Sequence, residues 1–303
     1  MHPFPSWLSA MLPGVRRSMI EVGHATLHVM EMGPETAQPV VCLHGNPSWG
    51  FLYRKVAHEL DGSHLGGAFR VVMPDLVGLG FSTKPPASAH TLDEHARWIR
   101  GVIESLDLRD AIFVGQDWGG AIGLLAFAGC PDRLSAMVIL NTVVGPPREG
   151  FRPTAFHRFA QMPFLAEAAF RFGGFPQNVM ALAQGDRSSI RGEVARAYRY
   201  PLRRLRDRAG PLALARMVPD AANHPSIEPL QRSQAFFESF DGPIEIVWGD
   251  RDPVLGPSVR RWIHKLRPDA NVTQSRAGHF LQEEVPAEIA RAISATQFRG
   301  QGH

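Results

Sequence analysis

The chain has 303 residues, 44% of them hydrophobic and 20% charged, and a net charge of +3. That is enough apolar material for a substantial core in one large or two modest globular domains, and it excludes a disordered chain. Only two cysteines are present, Cys42 and Cys130, without C-x-x-C or ligand-like histidine spacing, so a disulfide scaffold and a zinc site are excluded and a reducing cytoplasm fits best. The opening M-H-P-F-P-S-W-L-S-A-M-L-P-G is interrupted by prolines and lacks the basic flank and apolar stretch of a signal peptide. No later run approaches the roughly 18 consecutive apolar residues of a membrane span, so neither a membrane nor, on charge, a nucleic acid is expected as a partner. The densest basic run, Arg203, Arg204, Arg206 and Arg208 broken by Asp207, is too narrow for a nucleic-acid stripe and reads as a solvated helix face.

Short apolar runs ending in polar motifs recur along the chain. Val40-Val41-Cys42-Leu43 ends in His44-Gly45, and Phe69-Arg70-Val71-Val72-Met73 ends in Pro74-Asp75. Thr91 to Leu106 is a helix candidate that starts T-L-D-E, a capping-box pattern. Ala111-Ile112-Phe113-Val114 runs into V-G-Q-D-W-G-G, and Ala136 to Leu140 ends in Asn141. Ile244 to Trp248 ends in Gly249-Asp250, and Asn271 to Ser275 precedes Ala277-Gly278-His279. Continuous apolar runs of this length suit strands buried on both faces of a parallel sheet. Their alternation with helical stretches predicts an α/β fold with helices on both faces.

Residues 144–221 break the rhythm. They are rich in arginine, proline and phenylalanine (Phe151, Phe156, Phe159, Phe164, Phe170, Phe172, Phe175) and hold no strand-like run. The expected organisation is a core of residues 1–143 and 222–303 with a helical cap, 144–221, over the strand ends, where open parallel sheets bind ligands. The phenylalanines fit the core of an ordinary helical subdomain, even if some also line a pocket.

The stretch from Val114 to Gly120 has the strand, sharp turn and helix of a nucleophile elbow, with aspartate where G-x-S-x-G carries serine. A carboxylate can displace a leaving group from saturated carbon and form an alkyl ester. Water must then cleave that ester at the aspartyl carbonyl, which needs a general base and oxyanion donors. His279 supplies a candidate base. Asp252 or Asp250 supplies an orienting acid, Asp252 being preferred because it stands deeper in the loop beyond the strand. Chain order of nucleophile, acid and histidine is that of the α/β-hydrolase fold. In isolation Asp117 could be a helix N-cap, Trp118 a core residue and Asn46 a turn residue. Taken together, the Asn46 backbone and side-chain amide can turn towards the nucleophile, and Trp118 can offer its backbone and indole N–H. Two neutral donors converging on one point suit a departing halide. No metal or cofactor is expected.

The segments H-G-N-P-S-W-G-F-L-Y-R (44–54), P-D-L-V-G-L-G-F-S-T-K-P (74–85), V-G-Q-D-W-G-G (114–120), A-Y-R-Y-P-L (197–202), W-G-D-R-D-P-V-L-G (248–256) and A-G-H-F-L-Q-E-E (277–284) resemble the haloalkane dehalogenases. The resemblance implies an α/β-hydrolase fold with a mostly parallel eight-stranded sheet and an inserted helical cap. It also implies Asp117 as nucleophile, His279 as base, Asp252 as acid, and Asn46 with Trp118 as the halide-binding pair. The implied substrates are a small hydrophobic haloalkane and water, and the products alcohol, halide and a proton. Leu140-Asn141-Thr142 leaves no glutamate at the other position where relatives place the acid. Asp252 with Asn46, rather than a second tryptophan, resembles the subfamily with an Asp-His-Asp triad. Two alternatives share the triad. Epoxide hydrolases use two cap tyrosines, whereas Tyr198 and Tyr200 here stand only two apart and would face different ways on a helix. A β-lactone decarboxylase of olefin biosynthesis would look alike from sequence.

Overall fold

A computed structural model of the chain describes residues 3–62, 67–148 and 155–299. In chain order the strands are β1 Arg16–Val22, β2 Ala25–Met32, β3 Gln38–Leu43, β4 Phe69–Pro74, β5 Ala111–Asp117, β6 Leu134–Thr142, β7 Ile244–Gly249 and β8 Asn271–Ser275. The α-helices are α1 Ser6–Ser9, α2 Arg54–Gly62, α3 Leu92–Ser105, α4 Trp118–Ala128, α5 Ala155–Ala160, α6 Leu165–Arg171, α7 Gly192–Arg199, α8 Ala209–Arg216, α9 Ile227–Ser239, α10 Pro257–Leu266 and α11 Pro286–Arg299.

One eight-stranded sheet runs in the order β1-β2-β4-β3-β5-β6-β7-β8. The β1–β2 and β2–β4 pairs are antiparallel and the rest parallel, as expected for an α/β-hydrolase fold. The continuous apolar runs sort by alternation: Val41, Leu43, Phe113, Ile139 and Ile246 enter one core with Trp98 of α3, Leu124 of α4 and Ile263 of α10. Val40, Cys42, Ile112, Val114, Val138 and Val247 enter a second core with Val56 of α2 and Ile293 of α11. Burial on both faces is the reason these strands carry so little polar alternation. The Thr91 hydroxyl caps α3 by accepting from the Glu94 N–H at 3.2 Å, as the capping box requires.

Three features depart from the sequence-based expectations or add to them. The β1–β2 hairpin carries no continuous apolar run: β1 has no fully buried residue, and β2 buries His28 and Glu31 among its apolar residues. Among the described residues, 155–216 hold helices and 3-10 turns and no strand; Phe151 and the Phe156 side chain lie outside the description. The arginines at 203–208 are not a helix face. Helix α7 ends at Arg199, and two 3-10 turns follow, Tyr200–Leu202 and Leu205–Asp207, because Pro201 has no N–H to continue the ladder. No helix among the described residues is long and apolar enough to cross a membrane.

Candidate active site

The loops after β3, β5, β6, β7 and β8 each contribute to the wall of one cavity of about 350 Å³, through Asn46, Asp117, Val143, Pro253 and His279 among others. Asp117 ends β5 and precedes α4 with φ 51° and ψ −131°. This positive φ costs a non-glycine residue on the order of 1–3 kcal/mol, and it turns the carboxylate out of the sheet. The Asp117 side chain makes no helix-capping hydrogen bond, so the ordinary N-cap role is not the one it fills. Its Oδ1 accepts from the backbone N–H of Asn46 at 2.8 Å, and its carbonyl accepts from the Thr142 hydroxyl. The loop after β3 comes so close that a Cβ on Gly45 would lie 2.1 Å from Asp117 Oδ1; only glycine fits there.

His279 follows β8 and is 4% exposed. Its Nε2 stands 3.5 Å from Asp117 Oδ2 and its Nδ1 2.7 Å from Asp252 Oδ2, so one imidazole joins the two carboxylates. Burial alone would lower the histidine pKa, but Asp252 and Asp117 outweigh it and raise it to about 10. Burial of Asp252 would raise its pKa; the adjacent His279 overcomes this and holds the carboxyl below its usual range. Asp252 Oδ1 also accepts from the Val254 N–H at 2.7 Å, so it caps its turn as well as meeting the histidine. Asp250 instead pairs with Arg260 at 3.1 Å.

The Asn46 amide is placed differently from the expectation. Its Nδ2 donates to the carbonyl of Pro211 in α8 at 2.9 Å, which ties the loop after β3 to the helical segment, and its Oδ1 is buried without a partner. One amide hydrogen is thereby engaged and the other is available. Trp118 is 6% exposed and lines the cavity beside Asn46, Asp117 and His279.

Four polar residues given no role in the sequence analysis complete the arrangement. Asn141, at the end of β6, donates to Asp252 Oδ2 at 2.9 Å and to the Gly249 carbonyl at 2.9 Å, and accepts from the Gly249 N–H at 2.7 Å. Gln116 donates to the His279 carbonyl at 3.1 Å. Gln184, from the helical segment, brackets the residue after the histidine: it accepts from the Phe280 N–H at 2.9 Å and donates to the Phe280 carbonyl at 3.2 Å. The His279 N–H donates to the Ala183 carbonyl at 2.8 Å. Glu284 adds to this clasp by accepting N–H bonds from Gly185, Asp186 and Gly278. A Cβ on Gly278 would lie 2.2 Å from the Ala183 carbonyl, which explains the glycine of A-G-H-F.

The rest of the cavity wall is mainly apolar, with Val143, Val179, Leu182, Val218, Leu255 and Trp262 among its members. His157 of α5 is the histidine contributed by the helical side, its pKa lowered by burial against an opposing pull from Asp117. The three tyrosines are engaged elsewhere. Tyr53 donates to the Leu43 carbonyl at 2.9 Å, Tyr198 to Glu283 at 2.6 Å within a buried pair with Arg54, and Tyr200 packs edge-on against Trp7. Among the described residues no group of three or more side chains could hold a metal ion.

The chain and its architecture have counterparts among known proteins. Residues 38–286 match the family model of the alpha/beta hydrolase fold. A haloalkane dehalogenase of Mycobacterium marinum is 31% identical over 277 residues, covering 90% of this chain and 89% of that protein. Another, from Psychrobacter cryohalolentis, is 30% identical over 272 residues, covering 88% and 86%. The crystal structure of the haloalkane dehalogenase DatA from Agrobacterium tumefaciens C58 superposes with a TM-score of 0.82 at 25% identity, over 96% of this chain and 99% of that one. With the fold model matched over residues 38–286 and relatives of 30–31% identity matched over most of both chains, the chain belongs to the haloalkane dehalogenase family of α/β-fold hydrolases, enzymes that act on carbon–halide bonds.

Proposed function

We propose that the protein hydrolyses haloalkanes to alcohol, halide and a proton through an alkyl ester on Asp117. The observation that carries this reading is the buried line Asp252–His279–Asp117, at 2.7 and 3.5 Å, at the floor of a largely apolar cavity. An apolar wall holds a hydrophobic carbon chain and strips water from the carboxylate that must attack it. In the first step an Asp117 oxygen bonds to the halogen-bearing carbon as the carbon–halogen bond breaks, and the electron pair leaves with the halide. The Trp118 indole N–H and the free amide hydrogen of Asn46 solvate that anion.

Ester formation removes one of the two carboxylate charges that hold the His279 proton, so its pKa falls when a base is needed. Neutral His279 then takes a proton from water, which adds to the Asp117 carbonyl. The backbone N–H groups of Asn46 and Trp118 stabilise the resulting oxyanion. Collapse releases the alcohol and restores Asp117, and the imidazolium gives up its proton to solvent. Asp252, held by Asn141, keeps the imidazole oriented and supports its charge.

Residues 144–221 act as the cap that closes the cavity over the core. Epoxide opening assisted by tyrosine loses support, because Tyr53, Tyr198 and Tyr200 lie outside the cavity lining. A reducing, cytoplasmic setting is supported by two buried free thiols, Cys42 and Cys130. The deciding experiment is a panel of 1-bromoalkanes, a styrene-type epoxide and a cis-β-lactone. Bromide and alcohol should appear in equal amounts from the first class; turnover of the epoxide or lactone with none of the bromoalkanes contradicts the reading. Added chloride or bromide should also quench tryptophan fluorescence through Trp118.

A further inference from the structure

The helical segment carries an outer surface that the reaction does not use. Of the seven large hydrophobic side chains exposed among the described residues, six fall between residues 162 and 205: Met162, Phe164, Leu165, Phe172, Leu182 and Leu205. Phe164 is 88% exposed and Phe172 72%, so these rings protrude rather than line a groove. Residues 155–216 also hold eleven arginines against Glu167, Asp186, Glu193 and Asp207, a net charge of +7 where the whole chain carries +3. Among the described residues only Arg196, Arg206 and Arg216 of these arginines pair with a carboxylate. At one place the apolar and basic groups also meet in space. Arg208 donates to the carbonyls of Arg171 and Phe172 and to those of Leu202 and Arg203, joining the end of α6 to the turn that presents Arg203, Arg204 and Leu205. Leu182 belongs both to this exposed set and to the cavity wall.

We propose that this surface docks on anionic phospholipid bilayers, with Phe164, Leu165, Phe172 and Leu205 entering the headgroup boundary and the unpaired arginines meeting lipid phosphates. Exposed apolar side chains gathered in one region mark an interaction site, and aromatic and leucine side chains set among arginines are the composition of interfacial binding. A second copy of the chain does not fit, because it would bring the same +7 surface. An acidic protein would satisfy the charge, but protruding single rings suit a soft interface that accepts them one by one. With no helix able to span, the association is peripheral and reversible. The sequence-based expectation of no membrane partner rested on the lack of a spanning segment and does not bear on a surface of this kind.

The test is flotation of the full-length protein with vesicles of phosphatidylcholine alone or mixed with phosphatidylglycerol. Binding to the mixed vesicles should be stronger by about tenfold or more and should weaken as salt is raised. The double variant Phe164→Ser/Phe172→Ser should lose about tenfold of that binding, and Arg203→Gln/Arg204→Gln should lose a similar amount. Both should keep the solution activity and thermal midpoint of the parent, since none of the four residues lines the cavity. Absence of vesicle binding, equal binding to both vesicle types, or undiminished binding by the phenylalanine variant overturns the proposal. Binding of soluble polyglutamate as tight as that of the mixed vesicles also overturns it, by showing a surface that reads charge alone.

Discussion

The two walls of the cavity are made of different material. The core wall is a set of short loops at strand ends, in which Asp117, Asp252 and His279 are each fixed by several hydrogen bonds from residues distant in sequence. Facing it, the wall from α5, α8 and the 3-10 turn Gln177–Ala183 presents chiefly apolar side chains. Its phenylalanines divide: Phe159, Phe170 and Phe175 pack on one another at 5.2–6.4 Å, while Phe164 and Phe172 stand in solvent. The contrast is one of tolerance. The chemistry proposed at Asp117 would need atoms held to a few tenths of an ångström, which the sheet supplies, whereas the proposed hydrocarbon substrate would need only volume and dryness, which short helices can supply and vary. The exception is the clasp of Ala183, Gln184 and Glu284 on the His279 loop, where the helical wall reaches across and holds part of the catalytic machinery.

Substitutions on the two sides should therefore differ in kind. The largest effect short of removing a triad member is expected from Asn141→Leu, which takes one of its hydrogen bonds from the Asp252 carboxylate and leaves the Gly249 N–H without its side-chain partner. Losing a bond to a carboxylate costs about 1.5–3 kcal/mol, so kcat should fall about 10- to 100-fold. Thermal unfolding should show a stability loss of about 2–4 kcal/mol. Wild-type turnover in this variant would mean that Asp252 is held in place without help from Asn141.

Gln184→Leu probes the exception. With both bonds to Phe280 gone, ester hydrolysis should slow about tenfold, equivalent to about 1.4 kcal/mol of lost positioning. The first, stoichiometric release of halide should keep its rate, because Asp117 is untouched. Rapid-quench measurement separates the two phases; a parallel fall in both would show that the clasp merely supports the fold. The smallest effect belongs to the apolar wall. Leu182→Trp narrows the mouth and should lower kcat/KM for longer bromoalkanes by about three- to tenfold, with little change for the shortest. Equal losses for all chain lengths would place Leu182 outside the substrate path.

The same contrast governs what could be seen in the sequence. That Asp117, Asp252 and His279 come together was legible because each sits beside a continuous apolar run or a glycine turn, so strand end and polar motif mark one another. Asp252 was separable from Asp250 by its depth in the loop, and the structure sends Asp250 to Arg260 instead. Asn141 was visible only as a position lacking glutamate, since its partner Asp252 lies 111 residues away. Gln184 gave no signal, because the Phe280 backbone it binds is 96 residues distant and any sequence could provide it. The β1–β2 hairpin escaped for a different reason. It lies at the sheet edge, where Arg17 donates to His28 and Arg70 pairs with Glu31, so polar residues occupy positions that a buried-strand pattern would leave apolar. The direction of the Asn46 amide was likewise set by tertiary contact, with the Pro211 carbonyl of α8.

The central claim is that Asp117 carries the alkyl group and that His279 serves only its removal. Intact-protein mass spectrometry of His279→Ala after exposure to a bromoalkane tests it directly. The account predicts about one equivalent of bromide, then arrest, with the mass of the alkyl group added and localised to Asp117. Continued turnover by this variant, or bromide release without an adduct, would contradict it.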